Sequence, residues 1–80
     1  MKIQKIGNNE TVLTFKSGVS ILFSYETPVA AWAGSNIGYV KTSKKWSVTT
    51  SKHINKWLSS TSSEVKEVEQ EYLDNLVNME

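Results

Sequence analysis

The 80-residue chain contains no cysteine, which excludes disulfide staples and thiolate metal sites. It contains no arginine either; all nine basic residues are lysine. Arginine is the usual bidentate reader of guanine, so its absence argues against sequence-specific DNA readout. A single histidine, His53, leaves carboxylates as the only other metal ligands on offer. No stretch approaches the roughly 20 apolar residues that a membrane span needs. The opening Met1-Lys2-Ile3-Gln4-Lys5-Ile6 is charged and lacks the apolar run of a signal peptide, so cytoplasm is the expected compartment. No phosphate-binding glycine loop exists, because the four glycines are scattered at turns.

What is present is a lopsided charge map. Residues 1–60 hold eight lysines against two acids (Glu10, Glu26), a net of +6. Residues 61–80 hold Lys66 against six acids, a net of −5. Such asymmetry bears on partners and association rather than on fold.

The length corresponds to one domain, 1–80, burying only about 60–65% of its unfolded surface. Lys2–Ile6 alternates as a short strand, and Gly7-Asn8-Asn9 is turn chemistry. Residues 10–16 are rich in β-formers. Ser17-Gly18 marks a hairpin into 19–25. There Val19, Ile21, Phe23 and Tyr25 share one face, and Ser20, Leu22 and Ser24 the other. Pro28 is expected to end that strand. Val29–Ala33 suits a strand or a short helix, the strand being favoured because Gly34–Gly38 resembles a hairpin loop. Tyr39–Thr42 is its return, and 43–48 either extends it or forms a loop.

Thr49, Thr50 and Ser51 are candidate N-caps for a helix over about 51–59, with Ile54, Trp57 and Leu58 on its inner face. Thr61 and Glu64 fit a capping box for a last helix over 62–78. Its stripe is Val65, Val68, Tyr72, Leu76 and Met79, widened by Leu73 and Val77. Acids crowd its first half, where the helix dipole favours them. The expected class is α+β: a small antiparallel sheet of four to five strands (1–48) followed by two C-terminal helices (49–80).

The central block reads Tyr25-Glu26-Thr27-Pro28-Val29-Ala30-Ala31, then Tyr39-Val40-Lys41-Thr42. Trp46-Ser47-Val48-Thr49-Thr50-Ser51-Lys52-His53-Ile54-Asn55-Lys56-Trp57-Leu58 follows. It resembles a family of small phage-encoded proteins of unknown function with a YxTPVAA…KT…S-TTS-HIN-W pattern. The resemblance covers about 23–58 and leaves out the acidic tail. Glu26 departs from the glycine that members often carry. The resemblance implies a phage or prophage origin, hence the cytoplasm of a bacterial host, and no activity or catalytic residues.

The chemistry-bearing residues have bland readings beside sharp ones. No acid stands within helical reach of His53, at 49, 50, 56 or 57. It is therefore expected in the first helical turn, bonded to a nearby carbonyl or cap. The serines and threonines of 43–51 lack an activating base and read as caps and turn formers. An enzyme is the least favoured class, since titratable pairs at useful spacing occur only in the acidic helix. No cofactor or metal is expected. Trp57 is expected in the core and Trp46 exposed. The candidate contact surface is Tyr39, Lys41, Lys44, Lys45, Trp46, Lys52 and Lys56. A host or phage protein is its expected partner, with a host defence component among the targets. Single-stranded nucleic acid is the alternative, through phosphate contacts and stacking. A third class is a structural homo-oligomer paired through the C-terminal helix.

Overall fold

The computed structural model describes residues 2–59 and 64–78. Five strands run in sequence as an antiparallel meander: β1 (Lys2–Gly7), β2 (Glu10–Thr14), β3 (Ser20–Ser24), β4 (Thr27–Trp32) and β5 (Tyr39–Thr42). Helix α1 (Val48–Leu58) then leads to β6 (Val65–Val68), which lies parallel to β5 at the sheet edge. Helix α2 (Gln70–Val77) ends the described fold. The class is α+β, with a six-stranded, mixed, mostly antiparallel sheet.

The turns follow from local chemistry. Gly18, at φ +97°, lets the β2–β3 hairpin close, with Phe15 N–H donating to the Val19 carbonyl at 2.9 Å. Tyr25 takes φ +59° at the β3–β4 turn, a left-handed conformation costing a non-glycine residue about 1–2 kcal/mol. Its N–H donates to the Asn9 carbonyl at 2.7 Å, which ties this turn to the β1–β2 turn.

Central strand β3 is buried on both sides. Ile21 packs with Phe15, Ala31, Val40, Leu73 and Leu76, under α2. Its neighbour Leu22 points the other way, packing with Val29, Ala30 and Ile54, under α1. The two helices therefore cover opposite faces. A register shift opposite Leu22–Phe23 lets Val29 and Ala30 both join the α1 cluster.

Several elements differ from the sequence expectation. The sheet has six strands, because residues 65–68 are a strand and not the first turn of a helix over 62–78. Val65 and Val68 stand at a spacing that suits a helix. In β6 they pair with Tyr39 and Thr42, on opposite faces. The segment 49–80 thus supplies a strand as well as two helices. Pro28 lies inside β4, opposite Phe23 at the register shift, where the ladder tolerates a missing donor. Helix α1 starts at Val48, and Ser47 is its N-cap, accepting from Thr50 N–H at 3.2 Å. Thr49, Thr50 and Ser51 are inside the first turn. Thr61 and Met79 lie outside the described residues.

Leu73 is fully buried beneath the sheet and fixes α2 there. Leu73→Ala is expected to lower unfolding free energy by about 2–5 kcal/mol, as read by urea denaturation.

Candidate functional site

The fold brings two groups of polar side chains together. The first lies between the sheet and α1. Strand pairing sets Glu10 opposite Ser24 on the α1 face. His53, from the second turn of α1, reaches both: Nδ1 is 2.8 Å from Ser24 Oγ, and Nε2 is 4.0 Å from Glu10 Oε1. Ser24 Oγ is also 3.0 Å from Thr50 Oγ1, to which the Ser47 hydroxyl donates at 3.3 Å. With Nε2–H turned to the carboxylate, Nδ1 accepts from Ser24, and every donor in the chain Ser47–Thr50–Ser24–His53 points the same way. Lys56 Nζ lies 3.5 Å from Glu10 Oε2 but is largely exposed, so this ion pair adds little.

Glu10 is only 4% exposed, and its Oε1 makes no hydrogen bond among the described residues. Gly7 explains how the carboxylate fits. A Cβ at that position would overlap Glu10 Oε2.

An acid, an imidazole and a hydroxyl in this order are the members of a nucleophile relay. Ser24, however, is 2% exposed beneath α1. Neither Ser24 nor His53 lines the apolar pocket under α2 or the grooves at the sheet ends. Ser24 Oγ is thus enclosed by its partners rather than presented to solvent. What this arrangement does is lock α1 onto the sheet through bonds that replace water for every hydroxyl in it. Sequence reasoning sought an acid for His53 along the helix. The acid came instead from β2, and the hydroxyl partner from β3 rather than from a cap. Glu10 alternating with Val12 on one strand face was the available signal.

The second group is a groove of about 250 Å³ between β5, the 43–45 loop, α1 and β6. Lys41, Lys44 and Lys45 line it, with Thr42, Ser43, Ser51 and Asn55. Glu67 enters from β6, opposite Lys41 in the strand register.

The seven expected contact residues are thus divided. Lys41, Lys44 and Lys45 meet in the groove. Trp46 is exposed beside it, with Lys44 Nζ 4.3 Å from its ring centroid and its Nε1–H donating to Gln70 Oε1 at 3.2 Å. Lys52 and Lys56, one turn apart on α1, share a stripe that Lys56 extends over Glu10. Tyr39 is half-buried in an aromatic cluster, 5.0 Å from Trp32 and 5.9 Å from Trp57 between ring centroids. Trp57 is half-buried against the α1-side core, on the inner face expected for it.

A family of unknown function, DUF8033, matches residues 1–75. The chain belongs to that family. No curated protein and no solved structure matches it. The DUF8033 match spans the meander, α1, β6 and most of α2, so it takes in the acidic segment as well as the central block. No helix among the described residues of this DUF8033 chain is long and apolar enough to cross a membrane. No group of three or more His, Asp or Glu among them could hold a metal ion.

Two substitutions test the buried relay. Ser24→Ala removes the hydroxyl between Thr50 and His53 and is expected to cost about 1–3 kcal/mol in urea unfolding. A serine-directed fluorophosphonate should leave Ser24 unmodified in the folded protein, read by mass spectrometry. Gly7→Ala in a strand is ordinarily favourable by about 0.5–1 kcal/mol. Here the Cβ meets the Glu10 carboxylate, so it is expected to destabilise. The double variant Gly7→Ala/Glu10→Ala should show a coupling of about 0.5–3 kcal/mol.

Proposed function

We propose that this chain is a non-enzymatic accessory protein that binds an acidic protein surface through Lys41, Lys44 and Lys45, with Trp46 at the rim. The observation that carries this reading is the groove, where three lysines converge on one concavity. Like charges gathered in a concave site repel one another and raise the local potential, which an anionic partner relieves. Glu67 and the Lys44–Trp46 contact are the charge compensation within the chain. The resemblance of residues 23–58 supports a phage origin and a place in the host cytoplasm. A host protein, such as a defence component, is then the natural class of target.

Nucleic acid is the second reading. The hydroxyls of Ser43 and Ser51 and the amide of Asn55 beside the lysines resemble a phosphate-contacting set. One observation weighs against it. Trp46 has one ring face under Lys44 and its N–H on Gln70. That ring is a poor stacking platform for a base.

The test compares the full chain with Lys44→Glu/Lys45→Glu. Host-lysate capture should recover a defined acidic protein with the parent chain, and the double variant should lose at least about tenfold of it, as expected for loss of steering and pairing charges. Unchanged capture would move the contact elsewhere. Fluorescence polarisation with labelled DNA and RNA separates the readings: binding that falls steeply with salt would favour nucleic acid.

A further inference from the structure

On the opposite face of the sheet from the lysine groove, a cavity of about 510 Å³ opens beside α2. That is the size of a small-molecule site. Its walls come from the turn between β2 and β3, the loop between β4 and β5, and α2. Phe15 and Leu76 line it from the buried core, and Val19, Ala33 and Tyr72 pack against that core. Ser17 and Asn75 add a hydroxyl and an amide. No charged residue is among the described residues that line it. Lys16 and Asp74 adjoin lining residues in sequence, yet both are exposed and neither lines the cavity.

The 34–38 loop holds an apolar side chain at this cavity. Gly34 at φ +106° and Gly38 at φ +85° fold the loop back on itself. Gly38 N–H donates to the Gly34 carbonyl at 2.7 Å, and Ala33 N–H to the Gly38 carbonyl at 2.9 Å. Ile37 is thereby set at the cavity rim while 43% exposed. A large apolar side chain in water beside an apolar hollow leaves surface that a ligand would cover.

We propose that this cavity binds an uncharged, largely apolar small molecule bearing one hydrogen-bonding group. The chemistry of the walls sets the class. An ionised group entering would lose water and meet no counter-charge, which is costly. An apolar body gains from covering Phe15, Ile37 and Leu76. The Asn75 amide is both donor and acceptor, so it suits a hydroxyl, carbonyl or amine on the ligand. Core packing and turn hydrogen bonds already hold the three walls, so little ordering is needed on binding. A second copy pairing through the C-terminal helix fits less well. Leu73 and Leu76 of α2 are buried against the sheet of their own chain, and the cavity is enclosed by three elements rather than laid along one helix.

The test uses two fluorescent probes with one skeleton. N-phenylnaphthylamine is uncharged and carries one N–H, and its analogue anilinonaphthalenesulfonate adds a fixed negative charge. Titration of the full chain should show saturable, one-to-one binding of the neutral probe and at least about tenfold weaker binding of the sulfonate. Ala33→Leu, shown folded by circular dichroism, fills the cavity and should weaken neutral-probe binding at least about tenfold. Ile3→Ser, in the separate apolar groove over β1–β3, should leave it unchanged. No saturable binding of the neutral probe would overturn the proposal, as would a sulfonate that binds equally well. So would a folded Ala33→Leu chain that binds like the parent, or a loss of binding in Ile3→Ser. Affinity that falls as protein concentration rises would make the cavity a contact between copies and overturn it too. Should Ala33→Leu not fold, Ile37→Ser at the exposed rim decides: binding equal to the parent's rules out this cavity.

Discussion

Everything in this fold depends on the need to cover a narrow sheet from both sides. Ile21 and Leu22 are consecutive, point to opposite faces and are both fully buried. A strand that is apolar on both faces needs a layer on each. The described chain has two helices, so each face receives one. That places α1 over the Leu22 side and α2 over the Ile21 side. The strand β6 between them carries the chain along the sheet edge from one layer to the other. The buried relay and the lysine groove flank α1 as products of this arrangement.

Burial of Glu10 is the cost of seating α1 against a strand that also carries an acid. Two features make it tolerable: a glycine where a side chain would collide, and an imidazole and an ammonium near the carboxylate oxygens. The hydroxyls of Ser47, Thr50 and Ser24 satisfy one another within hydrogen-bonding distance. A single hydroxyl therefore serves as helix cap and as the first member of a network reaching the sheet. Secondary structure and tertiary docking share the same atoms here, which makes α1 sensitive to changes at β2 and β3.

Much of the meander was legible because its signals are local. Ser17-Gly18 and Gly34–Gly38 mark turns, and 19–25 alternates on both faces. Ile54, Trp57 and Leu58 gave the inner face of α1. The last third was less legible for a physical reason. Val65 and Val68 fit a helical stripe when read along the chain, and only their pairing with β5, more than twenty residues upstream, makes them a strand. The site divides in the same way. Convergence of Lys41, Lys44 and Lys45 follows from their closeness in sequence. The meeting of Glu10, Ser24 and His53 depends on strand register and helix docking, which no local spacing encodes. The single N-cap choice of Ser47 over three following hydroxyls also follows from tertiary contacts, since Thr50 is drawn inward to Ser24.

The parallel β6 has a consequence in time as well as in space. A meander of neighbouring hairpins has short-range contacts and is quick to form, whereas β6 must return across a whole helix before it finds β5. During synthesis the first five strands emerge before the segment that covers their second face. Until α2 arrives, Ile21, Ala31 and Val40 form an apolar surface open to water. A nascent chain at that stage is exposed to clumping with its neighbours. That surface is closed only when Leu73 and Leu76 of α2 dock on it.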